Sequence, residues 1–273
     1  MKIFDTHAHY DDNIYDVDRE EVFKKIYSEG VTDVALIGAS LVDSKKEKEL
    51  AKIYNRIEGV PKFYYVIGDH PDEIPKYSPD TEDGVEYLKQ IENLVYGENG
   101  KIEAIAIGEI GLDYYGDFKN EDDYKRQKEW FIAELDLARK LDLPIVIHSR
   151  DACKDTLDTV KTFAKGLTGI VHCFSYEKEI ALEYVRLGFC IGVGGVVTFK
   201  NGRKLKDVVE AVPIENIVAE TDAPWLAPMP YRGKRNESSY IKYVIEEISR
   251  IKNIDVDITA EVLYNNALEI YGL

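Results

Sequence analysis

Five histidines and a few carboxylates carry most of the chemistry this sequence can offer. His7 and His9 form a His-x-His pair, while His70, His148 and His172 are scattered along the chain. Glu109, in Ala-Ile-Gly-Glu-Ile-Gly-Leu-Asp, and Asp222, in Ala-Glu-Thr-Asp-Ala-Pro-Trp, add acidic groups. Imidazole and carboxylate ligands suit Zn, Mn, Fe, Co or Ni, and carboxylates also accept Mg. Each residue alone has an ordinary structural alternative. A histidine at a strand end is commonly just hydrogen-bonded, Glu109 can pair with an arginine, and Asp222 before Ala-Pro can form an Asx-turn. Together, His7, His9, His148, His172, Glu109 and Asp222 exceed what one tetrahedral ion needs. Two ions about 3.5–4 Å apart, bridged by a carboxylate and a hydroxide, use the set better. Glu109, from the middle of the chain order, is the expected bridge.

The elements that position these residues follow a regular alternation. Short apolar runs at 2–5, 33–37, 63–67, 104–107, 144–147, 169–171, 189–192 and 217–219 read as eight strands. Most are continuously apolar, the pattern of parallel strands buried on both faces. Helical periodicity fills the gaps. Asp18 is the expected N-cap of the first helix and Gly30 its stop. Leu50, Ile53, Tyr54 and Ile57 share a helical face, as do Trp130, Leu137 and Leu141. Segments 238–251 and 260–271 read as closing helices. No linker, low-complexity tract or repeat interrupts the chain, which predicts an α/β fold, a (β/α)8 TIM barrel in a single domain over residues 1–273. An open doubly wound sheet is the alternative. All five histidines, Glu109 and Asp222 fall just past predicted strand ends, so a barrel would gather them at its C-terminal mouth. Two residues apart on a strand, His7 and His9 face one way. Glu220 receives no role.

Composition sets outer limits. With 273 residues, 45% of them hydrophobic and 32% charged, the chain can bury a sizeable core. No apolar run reaches the roughly 20 residues of a membrane span, and the N-terminus lacks a signal-peptide core, so a cytoplasmic protein is expected. Three well-separated cysteines (Cys153, Cys173, Cys190) suit a reducing compartment. The net charge of −16 argues against a broad nucleic-acid surface. It leaves room for a small basic patch, and bound cations can supply positive charge locally.

Six motifs extend the reading. Phe-Asp-Thr-His-Ala-His (4–9), Ile-Gly-Glu-Ile-Gly-Leu-Asp-Tyr-Tyr (107–115), Ile-His-Ser-Arg-Asp-Ala (147–152), His-Cys-Phe-Ser (172–175), Glu-Thr-Asp-Ala-Pro-Trp-Leu-Ala-Pro (220–228) and Arg-Gly-Lys-Arg-Asn-Glu (232–237) resemble the TatD family of the amidohydrolase superfamily. The resemblance spans essentially the whole chain. It implies two divalent metal ions (Mg, Mn or Zn), one on His7, His9, Glu109 and Asp222, the other on Glu109, His148 and His172. It also implies a hydrolase acting on DNA, as single strands or 3′ ends, by a 3′-to-5′ exonuclease route. Apart from the resemblance, the sequence leads to the expectation of no membrane and no obligate protein partner. A hydrolase of another ester, an amide or a lactone is the alternative, and a non-catalytic metal or partner binder is disfavoured by the filled ligand positions. The family's Gly-x-His-Pro-His stretch reads Gly68-Asp69-His70-Pro71-Asp72 here, which puts substrate contacts in that loop in question.

Within this scheme Asp222 orients and deprotonates the attacking water. His70 either contacts substrate and leaving group or ties down the Pro71 turn. Arg150 can bind a phosphate, although Asp151 offers an internal partner. Arg232, Lys234 and Arg235 form a basic cluster that either meets phosphate at the rim or belongs to a salt-bridged loop with Glu237. Tyr114 and Tyr115 can stack bases or simply pack. Residues 192–195, glycine-rich, mark close backbone approach or a tight turn.

Overall fold

The computed structural model describes residues 2–116 and 120–273. Among them, eight parallel strands pair strictly in chain order: β1 (Ile3–Ala8), β2 (Val31–Ile37), β3 (Lys62–Ile67), β4 (Ala106–Asp113), β5 (Ile145–Arg150), β6 (Gly169–Val171), β7 (Phe189–Val193) and β8 (Ile217–Ala219). Helices α1 (Arg19–Ser28), α2 (Leu41–Tyr54), α3 (Glu82–Val95), α4 (Glu121–Leu141), α5 (Cys153–Phe163), α6 (Lys178–Arg186), α7 (Arg203–Ala211), α8 (Ile241–Lys252) and α9 (Val256–Tyr271) occupy the intervals and the C-terminal end. The sheet closes between its first and last strands. Thr6 Oγ1 donates to the Ala219 carbonyl (3.1 Å), Asp222 N to the His7 carbonyl (2.9 Å) and His9 N to the Ala223 carbonyl (2.8 Å). That closure gives a (β/α)8 barrel, not an open sheet.

Each strand contributes to an inner apolar plug: Phe4, Ala35, Val66, Ala106, Val146, Ile170, Cys190 and Val218 form one buried cluster. Helix α9 covers this plug with Ala267 and Tyr271, and the Tyr271 hydroxyl donates to the Thr6 carbonyl (2.9 Å). Neighbouring positions such as Val34, Ile67, Ile145 and Ile147 point outward into the larger helix-facing core. Alternation therefore survives within runs that are apolar on both faces.

Three strands run further than their apolar runs suggested. β1, β4 and β5 continue through His7, Glu109 and His148, so these side chains sit within strands, not just after them. Register irregularities fall between Ile3 and Phe4, between Asp5 and Ala8 and between Ile107 and Ile110. The last two lie where the ligand-type side chains lie, as bulges beside active sites commonly do.

Two local expectations are corrected. Asp18 occupies the N-cap position of α1 but makes no capping bond; Arg235 holds its carboxylate instead (2.8 and 2.6 Å). On α2 the buried residues are Ser44, Glu47 and Ala51, with Leu50 and Tyr54 half-buried and Ile53 exposed. The core-facing stripe runs i, i+3, i+7 from Ser44, which turns Ile53 outward. Trp130, Leu137 and Leu141 are buried on α4 as expected.

Candidate metal centre

At the C-terminal mouth the barrel gathers His7, His9, Glu109, His148, His172 and Asp222. Glu109 lies between two groups. Its Oε2 faces His7 Nε2 (3.4 Å) and His9 Nε2 (3.8 Å). Its Oε1 faces His148 Nδ1 (2.7 Å) and His172 Nε2 (3.1 Å). Asp222 Oδ1 joins the first group, 3.9 Å from His7 Nε2 and 3.7 Å from His9 Nε2. The two Nε2 atoms of His7 and His9 are 3.1 Å apart. Ligand atoms held about 2.1 Å from one ion lie roughly 3.0–3.5 Å from one another. The 3.1 and 3.4 Å spacings fall in that range, the 3.7–3.9 Å ones are somewhat longer, and the 2.7 Å Glu109–His148 contact is a hydrogen bond.

The outward nitrogens are largely fixed, which aims the others inward. His9 Nδ1 lies 3.0 Å from the Ile37 carbonyl and His148 Nε2 3.1 Å from Asp113 Oδ2. His172 Nδ1 lies 3.4 Å from Glu220 Oε1, an ion-pair contact without hydrogen-bond geometry. His7 Nδ1 and Glu220 Oε2 are buried with no hydrogen-bond partner. A carboxylate or carbonyl behind the imidazole, present here for His9, His148 and His172 but not for His7, is the arrangement that orients a metal-binding histidine and sets its tautomer. The donor set therefore fits a divalent cation.

Electrostatics agree. Burial alone would raise the Glu109 carboxyl, but His172, His7 and hydrogen bonds from the imidazoles outweigh it and hold it well below the usual range. Burial, then the nearby His172 and His9, push His7 well down despite Glu109, and burial also lowers His9. Burial opposes charge on His172 and His148 too, yet Glu109 with Glu220, and Asp113 with Glu109, raise them. Burial, reinforced by Glu109 and Glu220, pushes the Asp222 carboxyl up to about 7. Asp222 itself sits at φ +58, a strained backbone position of the kind found at functional sites.

His70 lies just past β3 and lines the cleft with Arg150, His148 and Trp225. Its ring is 4.3 Å from that of His148, while its Nδ1 accepts from Asp72 N (3.1 Å). It thus faces the centre and ties its turn at once. A nitrogen of His70 comes within 4.8 Å of ligand-type atoms of Glu109 and His148. Burial and His148 lower it to about 4.

The basic residues divide. Arg150 lines the cleft and lies over the Tyr115 ring (3.6 Å). Arg235 is committed to Asp18 and the Ile14 carbonyl (2.8 Å). Glu237, the expected loop partner, instead binds Lys25 and Ser239. Arg232 is exposed and lies over Phe199 (4.3 Å); none of Arg232, Lys234 and Arg235 is among the residues lining the cleft. Tyr114 is a packing residue, its hydroxyl donating to Asp155 (3.0 Å) and its ring lying against Tyr124.

Sequence reasoning missed the residues behind the ligands. Buried Asp5 accepts from Ser238 Oγ and Thr221 Oγ1 (both 2.6 Å) and from Thr221 N (3.0 Å). Buried Asn236 donates to the Thr221 and Trp225 carbonyls (2.8 and 2.7 Å). Gln127 of α4 grips both backbone groups of Asp113 (3.0 Å each). Asp5, Asp113, Glu220 and Asn236 all stand inside the motifs quoted above, and that membership was the available signal.

Imidazoles and carboxylates converging at the mouth of such a barrel define the site of a metal-dependent hydrolase. Comparison with known proteins agrees. The family model "TatD related DNase" matches residues 4–272. An uncharacterised metal-dependent hydrolase of Bacillus subtilis, YabD, is 37% identical over 99% of both chains. A metal-dependent hydrolase of Methanocaldococcus jannaschii is 33% identical over 99% of this chain and 97% of its own. The crystal structure of the TatD homologue YjjV from Escherichia coli superposes with a TM-score of 0.86, 27% identity, and 99% and 98% coverage. The chain belongs to the TatD family and is a metal-dependent hydrolase.

Proposed function

We propose that this protein is a two-metal phosphodiesterase that trims DNA from one end, in the 3′-to-5′ direction. The supporting observation is the division of Glu109, one oxygen toward His7 and His9 and the other toward His148 and His172. In this reading His7, His9, Glu109 and Asp222 hold one ion (Mg, Mn or Zn), and Glu109, His148 and His172 hold the other. When bound, such ions lower the pKa of water and stabilise charge on a phosphoryl oxygen. Asp222 accepts the proton of the attacking water at its carboxylate. Arg150 takes a non-bridging phosphate oxygen, and His70, neutral at pH 7, contacts the departing group. The family model's description, and a cleft lined by both an exposed Trp225 and Arg150, favour a nucleic acid as substrate.

The test is hydrolysis of end-labelled single-stranded DNA by metal-stripped protein, with Mg, Mn or Zn restored and His148→Ala as control. Shortening from the 3′ end that needs both metal and His148 is expected. No cleavage by protein shown to hold two ions would transfer the assignment to a non-nucleic-acid ester, amide or lactone.

A further inference from the structure

Beside the cleft lies a second, smaller recess of about 130 Å³, formed by the loops after β6, β7 and β8. It shares Cys173, Ser175, Asp222 and Leu226 with the cleft, so the two spaces adjoin at Asp222. Whatever fills the recess is therefore attached close to the reacting bond. Its walls are largely apolar: Phe174, Val196, Leu205 and Leu226, with the bare backbone of Gly194 and Gly195. A charged phosphate would lose its hydration there without compensation. The polar side chains are Asn201, exposed at the rim, Lys204, paired with Glu177 (3.1 Å), Ser175, and Glu220, Thr221 and Asp222, so no unpaired cation among the described residues faces the recess. An apolar slot with a small number of polar groups selects an uncharged ring with a hydrogen-bonding edge. The volume equals roughly four waters' share of liquid, enough for one such group and too little for a stacked pair. Outside, the cleft is wider, about 640 Å³, and Trp225 stands 50% exposed beside His9, ring to ring at 5.1 Å.

We propose that this recess binds the nucleobase of the terminal nucleotide, while the following bases lie in the open cleft against Trp225. The proposal rests on the nuclease reading and deepens it. A slot of this size takes one base, and the last base of a strand enters it without leaving a stack on both sides, so the bond presented to Asp222 is the one nearest the end. Exonucleolytic action then follows from the shape of the mouth, with no separate end-recognising domain.

Gly194 allows a test. Its backbone is extended (φ −108, ψ −166), and a Cβ there would meet Glu220 at 3.6 Å or more, an ordinary contact. At Gly195 a Cβ would collide with the Leu226 carbonyl. A side chain at Gly194 therefore starts without a forced clash, and Gly194→Val is chosen to add bulk at the recess wall. The experiment compares kcat/KM for two manganese-dependent substrates, a 3′-labelled single strand ending in a normal nucleotide and the same strand ending in an abasic one. The wild type is expected to prefer the base-bearing end by at least about tenfold, roughly 1.4 kcal/mol, and Gly194→Val to bring that ratio close to one. Asn201→Ala, an exposed change that leaves the walls intact, is expected to alter the ranking of the four terminal bases several-fold. It decides the matter if Gly194→Val fails to fold. Equal wild-type rates on the two ends, or a ratio unchanged in Gly194→Val together with a base ranking unchanged in Asn201→Ala, would overturn the recess alone. No shortening of either strand by the wild type would overturn the nuclease reading and the recess's occupant together.

Discussion

The two sides of the metal centre are built on different physics. Along the seam where β1 meets β8, His7, His9 and Asp222 are placed by backbone pinning. Asp5 binds Thr221 and Ser238, Asn236 binds the Thr221 and Trp225 carbonyls, and the His7 carbonyl takes the Asp222 amide. Across the mouth, on β5 and after β6, His148 and His172 are aimed by carboxylates, Asp113 and Glu220. The seam spends buried hydrogen bonds, whose loss is felt by the whole fold. The opposite side spends charge, whose loss is felt mainly by a cation. One cluster can thus hold stability and metal affinity on separate residues.

The contrast can be broken or sharpened in four ways. The largest effect is expected where the two sides meet in function. Asp222→Ala should reduce metal-dependent turnover by on the order of 10²–10⁴-fold with the fold intact by circular dichroism; near-normal turnover would remove Asp222 as the base. Next, Asp5→Ala should destabilise the protein by about 3 kcal/mol in urea, because it strands several buried donors at once. Asp113→Asn should leave stability nearly unchanged while weakening metal binding by about 10–100-fold by isothermal titration. Reversed outcomes for these two would collapse the distinction between the sides.

The third concerns buried charge outside the ligand set. Asp69 accepts from the Tyr87 hydroxyl (2.8 Å), its amide donates to Glu134 (3.0 Å), and burial pushes it up to about 7. Burial, with Asp69 alongside, raises Glu134 well above the usual range. Both folded values exceed the unfolded ones, so their contribution is full below about pH 4 and lost as pH rises toward 7. Denaturant midpoints should fall across that window, and Glu134→Gln should flatten the fall; a midpoint that climbs over the same range in the wild type, unaltered by the substitution, would refute it. The smallest effect is expected at Arg235→Ala. Its pair with Asp18 is partly exposed and should be worth under about 1 kcal/mol. Substrate KM should stay level in Arg235→Ala and rise in Arg150→Ala. An equal rise in both would restore a phosphate role to the basic loop.

The fold was legible because its signal is repetitive. Eight apolar runs separated by helical periods admit few topologies, and the C-terminal mouth follows from the barrel. The six ligand-type residues were legible because imidazoles are scarce and each stood near a strand end. What stayed hidden depends on partners distant in sequence. Nothing around Asp18 announces Arg235, more than two hundred residues away, so a capping role was the natural local expectation. Glu220 and Asp113 resemble ordinary polar residues after strands until His172 and His148 are seen beside them. The reach of β1, β4 and β5 was underestimated because apolar runs stop where ligands begin, although the hydrogen-bonded ladder does not.

The bonds that close the barrel also set an order in time. His7 is made more than two hundred residues before its partners: the amide that fixes its carbonyl belongs to Asp222, and the side chain that ties the Asp222 turn belongs to Asn236. A nascent chain therefore carries two of its imidazoles across more than two hundred residues of synthesis without the residue that completes their set. A chain truncated before residue 222 would keep five of the six ligand-type groups and lack the carboxylate assigned to the proton transfer. Completion of the ligand-type set is in that sense withheld until residue 222 has been made.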